Sequence, residues 1–551
     1  MLNRKELFCL LYLFNCQVVF SDQIFINAKV YLGQRQFASA FIVDANRFAY
    51  VGSNEEALKL RKSSSKIIDL HGKTVIPGLI DSHIHAIRAG LNHSHEISLE
   101  GTRSIKEALH KIQRESKLLL PHQWIVIAGG WSELQFKERR RFTYGELESA
   151  SNGHPFYVQL NYSAVLLSRQ AFSELQLIDQ VELLSNLIVE TLPNGRPSGW
   201  LLGSSRAISR IFDLLPLPNF SEQKRSTLLF FNQLLQYGVT GVIDPGGYNI
   251  KLGAYEPILQ LNRESKLKLR VRFHICAPSD GAELEDFRAI VANPQFNVSS
   301  SFLKFNGIGE NVTWSMYNND SPTAEQKDHL FNVLSWAAES NLPVTLHWNN
   351  NQSVHHLLDV LRQVHALHNL SSLRWSIAHL MDASAYSISE MGEMGIGWLV
   401  QDAFYFNGKR FLTQHGIQDA SSIPRIIHAL ERGLHIGAGT DAHRVMSYNP
   451  FVSLEWLLDG KTVDGLVLGD ANERPDRFGA IDLYTLGSAW FTFEEHERGQ
   501  IKPGFLADAV VLDRDFFTVP LHQISSIRPL MTLVDGKVAY QRKGLSVVHS
   551  R

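Results

Sequence analysis

The sequence predicts a mixed α/β protein: a (β/α)8 barrel, a small β-sandwich assembled from both termini, and an insertion after the first barrel strand. Three observations lead there. Through the middle of the chain, short apolar runs alternate with amphipathic stretches, as parallel strands joined by helices do. Eight such runs can be placed. Both ends carry alternating apolar and polar residues, and neither end alone has enough of them to bury two faces.

Taken in order, the chain opens with a short basic start, Arg4 and Lys5, and an apolar run over residues 7–20. The run is too short to span a bilayer and fits the core of a secretion signal. The expectation is a signal peptide over residues 1–21 and an exported protein, periplasmic or secreted; an uncleaved anchor is the alternative. Of three cysteines, Cys9 and Cys16 fall in that segment. Only Cys276 remains, in an apolar run where it reads as a core residue, so no intrachain disulfide is expected.

Residues 22–78 read as short strands: Ile24 to Tyr31, Ala40 to Val43, Arg47 to Gly52, Lys66 to Leu70. Residues 496–551 repeat the pattern at Ala507 to Asp513 and Leu530 to Tyr540, so the two ends are expected to form one sandwich. The barrel is expected over residues 79–495. Its first strand leads into His83 and His85. The others are Gly238 to Asp244, Leu267 to Ile275, Ser301 to Phe305, Pro343 to His347, Trp375 to His379, Ile396 to Val400 and His435 to Asp441, with helices near 324–340 and 354–367. The gap before Gly238 is far longer than a βα unit needs, which places an insertion at about residues 100–230. Emerging after the first strand, it should cover or line the pocket at the C-terminal face of the barrel.

Composition narrows the partners. Hydrophobic residues make up 44%, charged residues 20%, and the net charge is −2. This is an ordinary globular balance with no basic field for nucleic acid or an anionic membrane. The expected partner is a small-molecule substrate. Nucleic acid is not expected, nor a membrane partner beyond an N-terminal anchor; a homodimer is left open.

The chemistry lies at the strand ends. His83 and His85 stand at i and i+2, so a strand directs both to one face. Lys304, His347, His379 and Asp441 each stand in or at the end of an apolar run. One such residue is usually structural; six on one rim point to a common site, because buried charge is costly unless paired or metal-bound. Imidazoles and carboxylates without thiolates suit Zn²⁺ or a related divalent ion. Asp441 would take a proton from water and return it to a leaving amine. The reading is metal-assisted hydrolysis of a C–N bond in a small amide or N-acyl compound. A metal phosphoesterase and a non-catalytic binding barrel are the alternatives.

Several segments carry a family likeness: Val75-Ile76-Pro77-Gly78-Leu79-Ile80-Asp81-Ser82-His83-Ile84-His85, Gly129-Gly130-Trp131-Ser132, Leu303-Lys304-Phe305-Asn306-Gly307, Val344-Thr345-Leu346-His347-Trp348, Gly439-Thr440-Asp441-Ala442 and Gly504-Phe505-Leu506-Ala507-Asp508. Together they resemble the YtcJ-like branch of the amidohydrolase superfamily, from about Gln23 to about Tyr540. The resemblance implies that His83 and His85 bind the more buried metal with Asp441, and that His347 and His379 bind a second. It implies a carboxylated Lys304 bridging the two; an unmodified Lys304 paired with a carboxylate in a one-metal enzyme is the alternative. Trp131, Trp348 and His443 are candidate substrate contacts. The sequence departs from the branch at Asn161-Tyr162-Ser163, at Asn306 and at Asn349-Asn350-Asn351. Those changes point to an altered substrate on an intact ligand set.

Overall fold

The computed structural model describes residues 22–247, 250–420 and 423–543. The expected signal segment, with Cys9 and Cys16, lies outside the described residues. The fold is mixed α/β. Eight strands form its centre: β1 (Leu79–Asp81), β2 (Val239–Asp244), β3 (Arg270–Ile275), β4 (Leu303–Ile308), β5 (Thr345–Trp348), β6 (Ser376–His379), β7 (Gly397–Gln401) and β8 (Ile436–Gly439). They lie in two parallel four-stranded sheets, ordered β4-β3-β2-β1 and β5-β6-β7-β8. A parallel bridge between Ile308 and Val344 joins the sheets on one side. On the other, Ser82 N–H donates to the Ala438 carbonyl at 3.1 Å. Every residue of β2 and β3 is buried, as strands covered on both faces require. Ile243, Ala378 and Leu399, from β2, β6 and β7, meet around Phe491.

Helices run between the strands. Phe220–Gln236, before β2, and Ala324–Glu339, before β5, both open with a capping box, Asn219 with Glu222 and Thr323 with Gln326. In each, two backbone N–H groups that the helix cannot satisfy find side-chain partners.

Strand β4 departs from expectation. It runs three residues past Phe305, through Asn306 and Gly307 to Ile308. Gly307 lies beyond the expected strand yet continues it, where a Cβ would meet the Pro343 carbonyl oxygen at 2.0 Å. Lys304 is therefore near the start of β4, in register with Arg272.

Between β1 and β2 the chain builds a five-stranded sheet ordered Leu187–Thr191, Pro197–Gly203, Ala164–Leu167, Phe156–Leu160, Ile125–Ile127. It buries both faces: Trp131, Phe142, Val158 and Trp200 on one, Tyr157, Val165, Leu201 and Ile208 on the other. The termini share a six-stranded sheet in which Thr74–Pro77 lies between Lys29–Gly33 and Ala509–Leu512. A four-stranded sheet built around Gln23–Ile26 shares a core with it, including Phe25, Phe41, Val75, Ala509 and Leu533. No helix among the described residues is long and apolar enough to cross a membrane.

Candidate metal centre

β1 stops at Asp81, so His83 and His85 lie just beyond the strand rather than on it, and His85 caps the helix Ala86–Asn92. Asp81 holds this end in place. Its Oδ1 accepts the N–H groups of His83 (3.2 Å) and Thr440 (3.0 Å), and its Oδ2 accepts the Thr440 hydroxyl (2.7 Å). Asp441 N–H returns a bond to the His83 carbonyl at 2.7 Å. The ends of β1 and β8 are thereby fixed to each other. Asp441 and His379 both adopt left-handed backbone, at φ 54° and 70°, a conformation uncommon outside glycine and frequent at functional sites.

Five of the six expected ligands converge. His83 Nε2 is 3.6 Å and His85 Nε2 3.2 Å from Asp441 Oδ1, and His379 Nδ1 is 3.8 Å from Asp441 Oδ2. The sixth does not join them. Lys304 stands four residues before the end of β4, roughly 13 Å below the rim at about 3.3 Å per residue. Glu310, just past β4, occupies the centre instead. Its Oε2 lies 3.3 Å from His83 Nε2, 3.2 Å from His347 Nδ1 and 3.4 Å from His379 Nε2, and its Oε1 lies 3.5 Å from His85 Nε2. Glu310 rather than Lys304 therefore stands among the four imidazoles, because β4 extends past Phe305 to Ile308. The donor atoms of His83, His85 and Glu310, of His83, His379 and Asp441, and of Glu310, His347 and His379 each lie within 4.8 Å of one another.

The electrostatics suit a cation. Burial pulls His83 and His347 below the ordinary imidazole range, His347 to about 4, so both rings present neutral lone pairs at pH 7. Burial alone would raise Glu310 and Asp441. The histidines around them outweigh it, and both remain carboxylates below their usual range. Both ring nitrogens of His83 are buried without a hydrogen bond, a costly state that a bound cation would relieve at Nε2. The rings are oriented from behind. His85 Nδ1 lies 2.8 Å from the Gly246 carbonyl, which fixes that nitrogen as the donor and leaves Nε2 facing inward. Asn318 accepts the Asn349 N–H on Oδ1 and donates from Nδ2 to His347 Nε2, both at 2.9 Å. Tyr317 stacks on the same ring at 4.3 Å. These donors fit a divalent metal held by nitrogen and oxygen.

Comparison with known proteins agrees. A model described as the amidohydrolase family matches residues 66–540. The chain belongs to the amidohydrolase family. It is 21% identical to the N-substituted formamide deformylase of Arthrobacter pascens, over 95% of this chain and 99% of that one. It is 20% identical to the putative amidohydrolase YtcJ of Bacillus subtilis (strain 168), over 86% and 90%. An uncharacterized metal-dependent hydrolase from Pyrococcus furiosus shares the fold at a TM-score of 0.64, with 20% identity, over 90% of this chain and 100% of that one.

In this amidohydrolase a cavity of about 630 Å³ opens above the centre. His85, Glu310, His347, His379 and Asp441 form part of its lining. The inserted sheet contributes Asn161, Tyr162 and Ser163, and the loop after β5 contributes Asn349. Two of the segments that depart from the branch pattern are therefore cavity wall. Asn306 is not; it lies beneath, with its amide 3.3 Å from His274 Nε2.

The three expected substrate contacts lie elsewhere. Trp131 is fully buried against the inserted sheet and donates to the Gln159 carbonyl. Trp348 is buried in the main core and donates to Ser353 Oγ. His443 faces Glu96 at 3.1 Å in a small separate cavity. An indole in an apolar run is core by default, and nothing local to these residues distinguishes a wall from a core. Sequence reasoning missed Glu310, which could have been found by extending β4 through Gly307.

Proposed function

We propose that this chain is a metal-dependent hydrolase of C–N bonds in small amides, N-acyl or N-formyl compounds, using zinc or a similar divalent ion. The observation that carries this reading is the convergence of four imidazoles and two carboxylates at the floor of one cavity. Similarity to a protein named for formamide deformylation supports the bond type. His83, His85 and Asp441 would hold one ion, His347 and His379 a second, with Glu310 between them. Bound there, a divalent ion supplies water acidified to a pKa of about 7 and polarises a carbonyl. Asp441, ionised at neutral pH, takes the proton from water on a carboxylate oxygen and delivers it to the departing nitrogen. Asn318 and Tyr317 keep the His347 ring in one orientation, and the inserted sheet limits solvent at the cavity mouth.

Two parallel sheets linked at Ile308–Val344 and Ser82–Ala438 support a closed (β/α)8 barrel, and the shared core of the terminal sheets supports the sandwich. The basic start and apolar run of residues 1–21 support export. Elemental analysis of natively purified protein tests the centre. One or two equivalents of metal are expected, most of it lost in His83→Ala. Asp441→Asn should lower kcat for N-formyl amines at least 100-fold. A metal-free wild type that stays empty on reconstitution would end this reading.

A further inference from the structure

The fold buries several arginines and gives most of them a partner. Arg270 pairs with Asp508 and Asp535, Arg272 and Arg498 pair with Glu494, and Arg444 lies 3.7 Å over the Phe212 ring. Among the described residues Arg88 has neither a paired carboxylate nor a ring over its guanidinium. It is 8% exposed and lines the cavity. Its Nε is buried with no hydrogen-bond partner, as are those of Arg444 and Arg498, which have a ring or a carboxylate beside them. Burial works against its charge, and Tyr162, Glu310, Asp441 and Asp244 outweigh that from a distance, without a hydrogen bond. A Cβ on Gly247 would sit 3.1 Å from His85 Nδ1 and 3.4 Å from Arg88 Nη1. The guanidinium therefore shares one wall of the cavity with a ring of the metal centre.

A desolvated guanidinium without a counter-ion is expensive. Glu310 and Asp441 could balance its charge from afar, but on the reading given above they serve a divalent cation. With that cation in place, Arg88 stands beside the reacting groups with its fork-shaped donors unused. Those donors match a carboxylate in two parallel bonds. A second arginine, Arg410, lies exposed on the cavity lining, and the nearby wall residues Asn161, Tyr162, Ser163 and Asn349 are neutral. Asp382, also on the lining, has both carboxylate oxygens at the Asn351 N–H.

We propose that Arg88 is the subsite for a carboxylate on the substrate, so that the preferred substrates are N-acyl or N-formyl amino acids rather than neutral amides. This rests on the hydrolase reading, and the test separates the two. Zinc-reconstituted full-length protein is assayed on N-formyl amino acids and on the matching formamides lacking the carboxyl group, such as N-formylalanine against N-ethylformamide. Wild type should prefer the acid by on the order of 100-fold in kcat/KM, the scale of one buried charge-assisted pair. In Arg88→Met the ratio should collapse towards unity, and Arg88→Lys should keep part of it, with bound zinc and circular dichroism matching wild type. An equal preference in wild type and Arg88→Met would overturn the subsite and leave the hydrolase standing. So would zinc loss in Arg88→Met in step with activity, since Arg88 would then serve only to balance Glu310 and Asp441. If wild type hydrolyses neither compound, the hydrolase reading fails, and titration calorimetry with succinate decides the subsite alone. Binding by wild type that Arg88→Met loses would support it; equal or absent binding would overturn it.

Discussion

Around Glu310 four imidazoles, of His83, His85, His347 and His379, approach one carboxylate from three chain segments. A lysine must be carboxylated before it can take such a place; a glutamate needs no modification. The contrast gives a direct experiment. Glu310→Gln should reduce bound metal by at least 10-fold, measured by mass spectrometry of the purified protein, while Lys304→Met should leave it near the wild-type level. Metal loss in the lysine variant with retention in the glutamine variant would restore Lys304 to the centre. At this scale the legible residues were those whose chemistry and position coincide. His83 and His85 announce themselves by spacing, and His347, His379 and Asp441 by closing apolar runs. Glu310 follows Gly307 and Gly309, which break its apolar run, so no periodicity marks it. Arg88 lies on the helix after His85, where an arginine ordinarily reaches solvent.

Among the elements, the seam between β1 and β8 sets the geometry of the site. β8 contains Gly437 and Gly439 because the chain after β1 passes too close for side chains. A Cβ on Gly439 would meet His83 N at 2.4 Å and Asp81 Oδ1 at 2.7 Å. Gly439→Ala should therefore destabilise the fold by about 2 kcal/mol or more and weaken metal binding with it. A variant that unfolds at wild-type urea concentrations would show that the seam has slack. The helix Arg477–Leu483 offers a second test. Asp482 accepts the Tyr31 hydroxyl at 3.0 Å, and burial pushes its carboxyl up to about 6. A folded value above the unfolded one means that stability is greatest below about pH 4 and declines as pH rises towards 6. Asp482→Asn should accordingly gain up to about 2 kcal/mol at pH 8 and nothing at pH 4. A gain in Tm of equal size at both pH values would contradict this. Strand identity was readable from apolar runs throughout; strand ends were not, because glycine serves both as a terminator and as a point of close approach.

Across the whole molecule, the terminal sheets are tied to the central strands by buried charge. Arg270 on β3 reaches both oxygens of Asp508, at 2.9 and 3.1 Å, and Asp535 at 3.0 Å. Arg272, two residues on, bonds Glu494, which also holds Arg498. All of these groups but Asp535 are nearly inaccessible to solvent, so removing Arg270 leaves Asp508 desolvated. Arg270→Met should cost about 3–5 kcal/mol, read as a lower midpoint in chemical denaturation; a loss under 1 kcal/mol would show that the acids rehydrate. The Gly-Phe-Leu-Ala-Asp tail at 504–508 was recognisable in the sequence, but its partner was not, since pairing across the chain leaves no local trace.

The six-stranded sheet has a consequence for the order in which the protein is made. Thr74–Pro77 leads directly towards β1 and the first two histidines, and one of its edges is filled by Ala509–Leu512. On the ribosome that edge stays open while everything between is synthesised. The chain upstream of the active site cannot reach its final pairing until Ala509–Leu512 has been made, so this sheet closes only after all eight central strands exist. A ribosome-stalled chain ending near residue 500 should remain protease-sensitive around Thr74–Pro77, and release of the full chain should protect it.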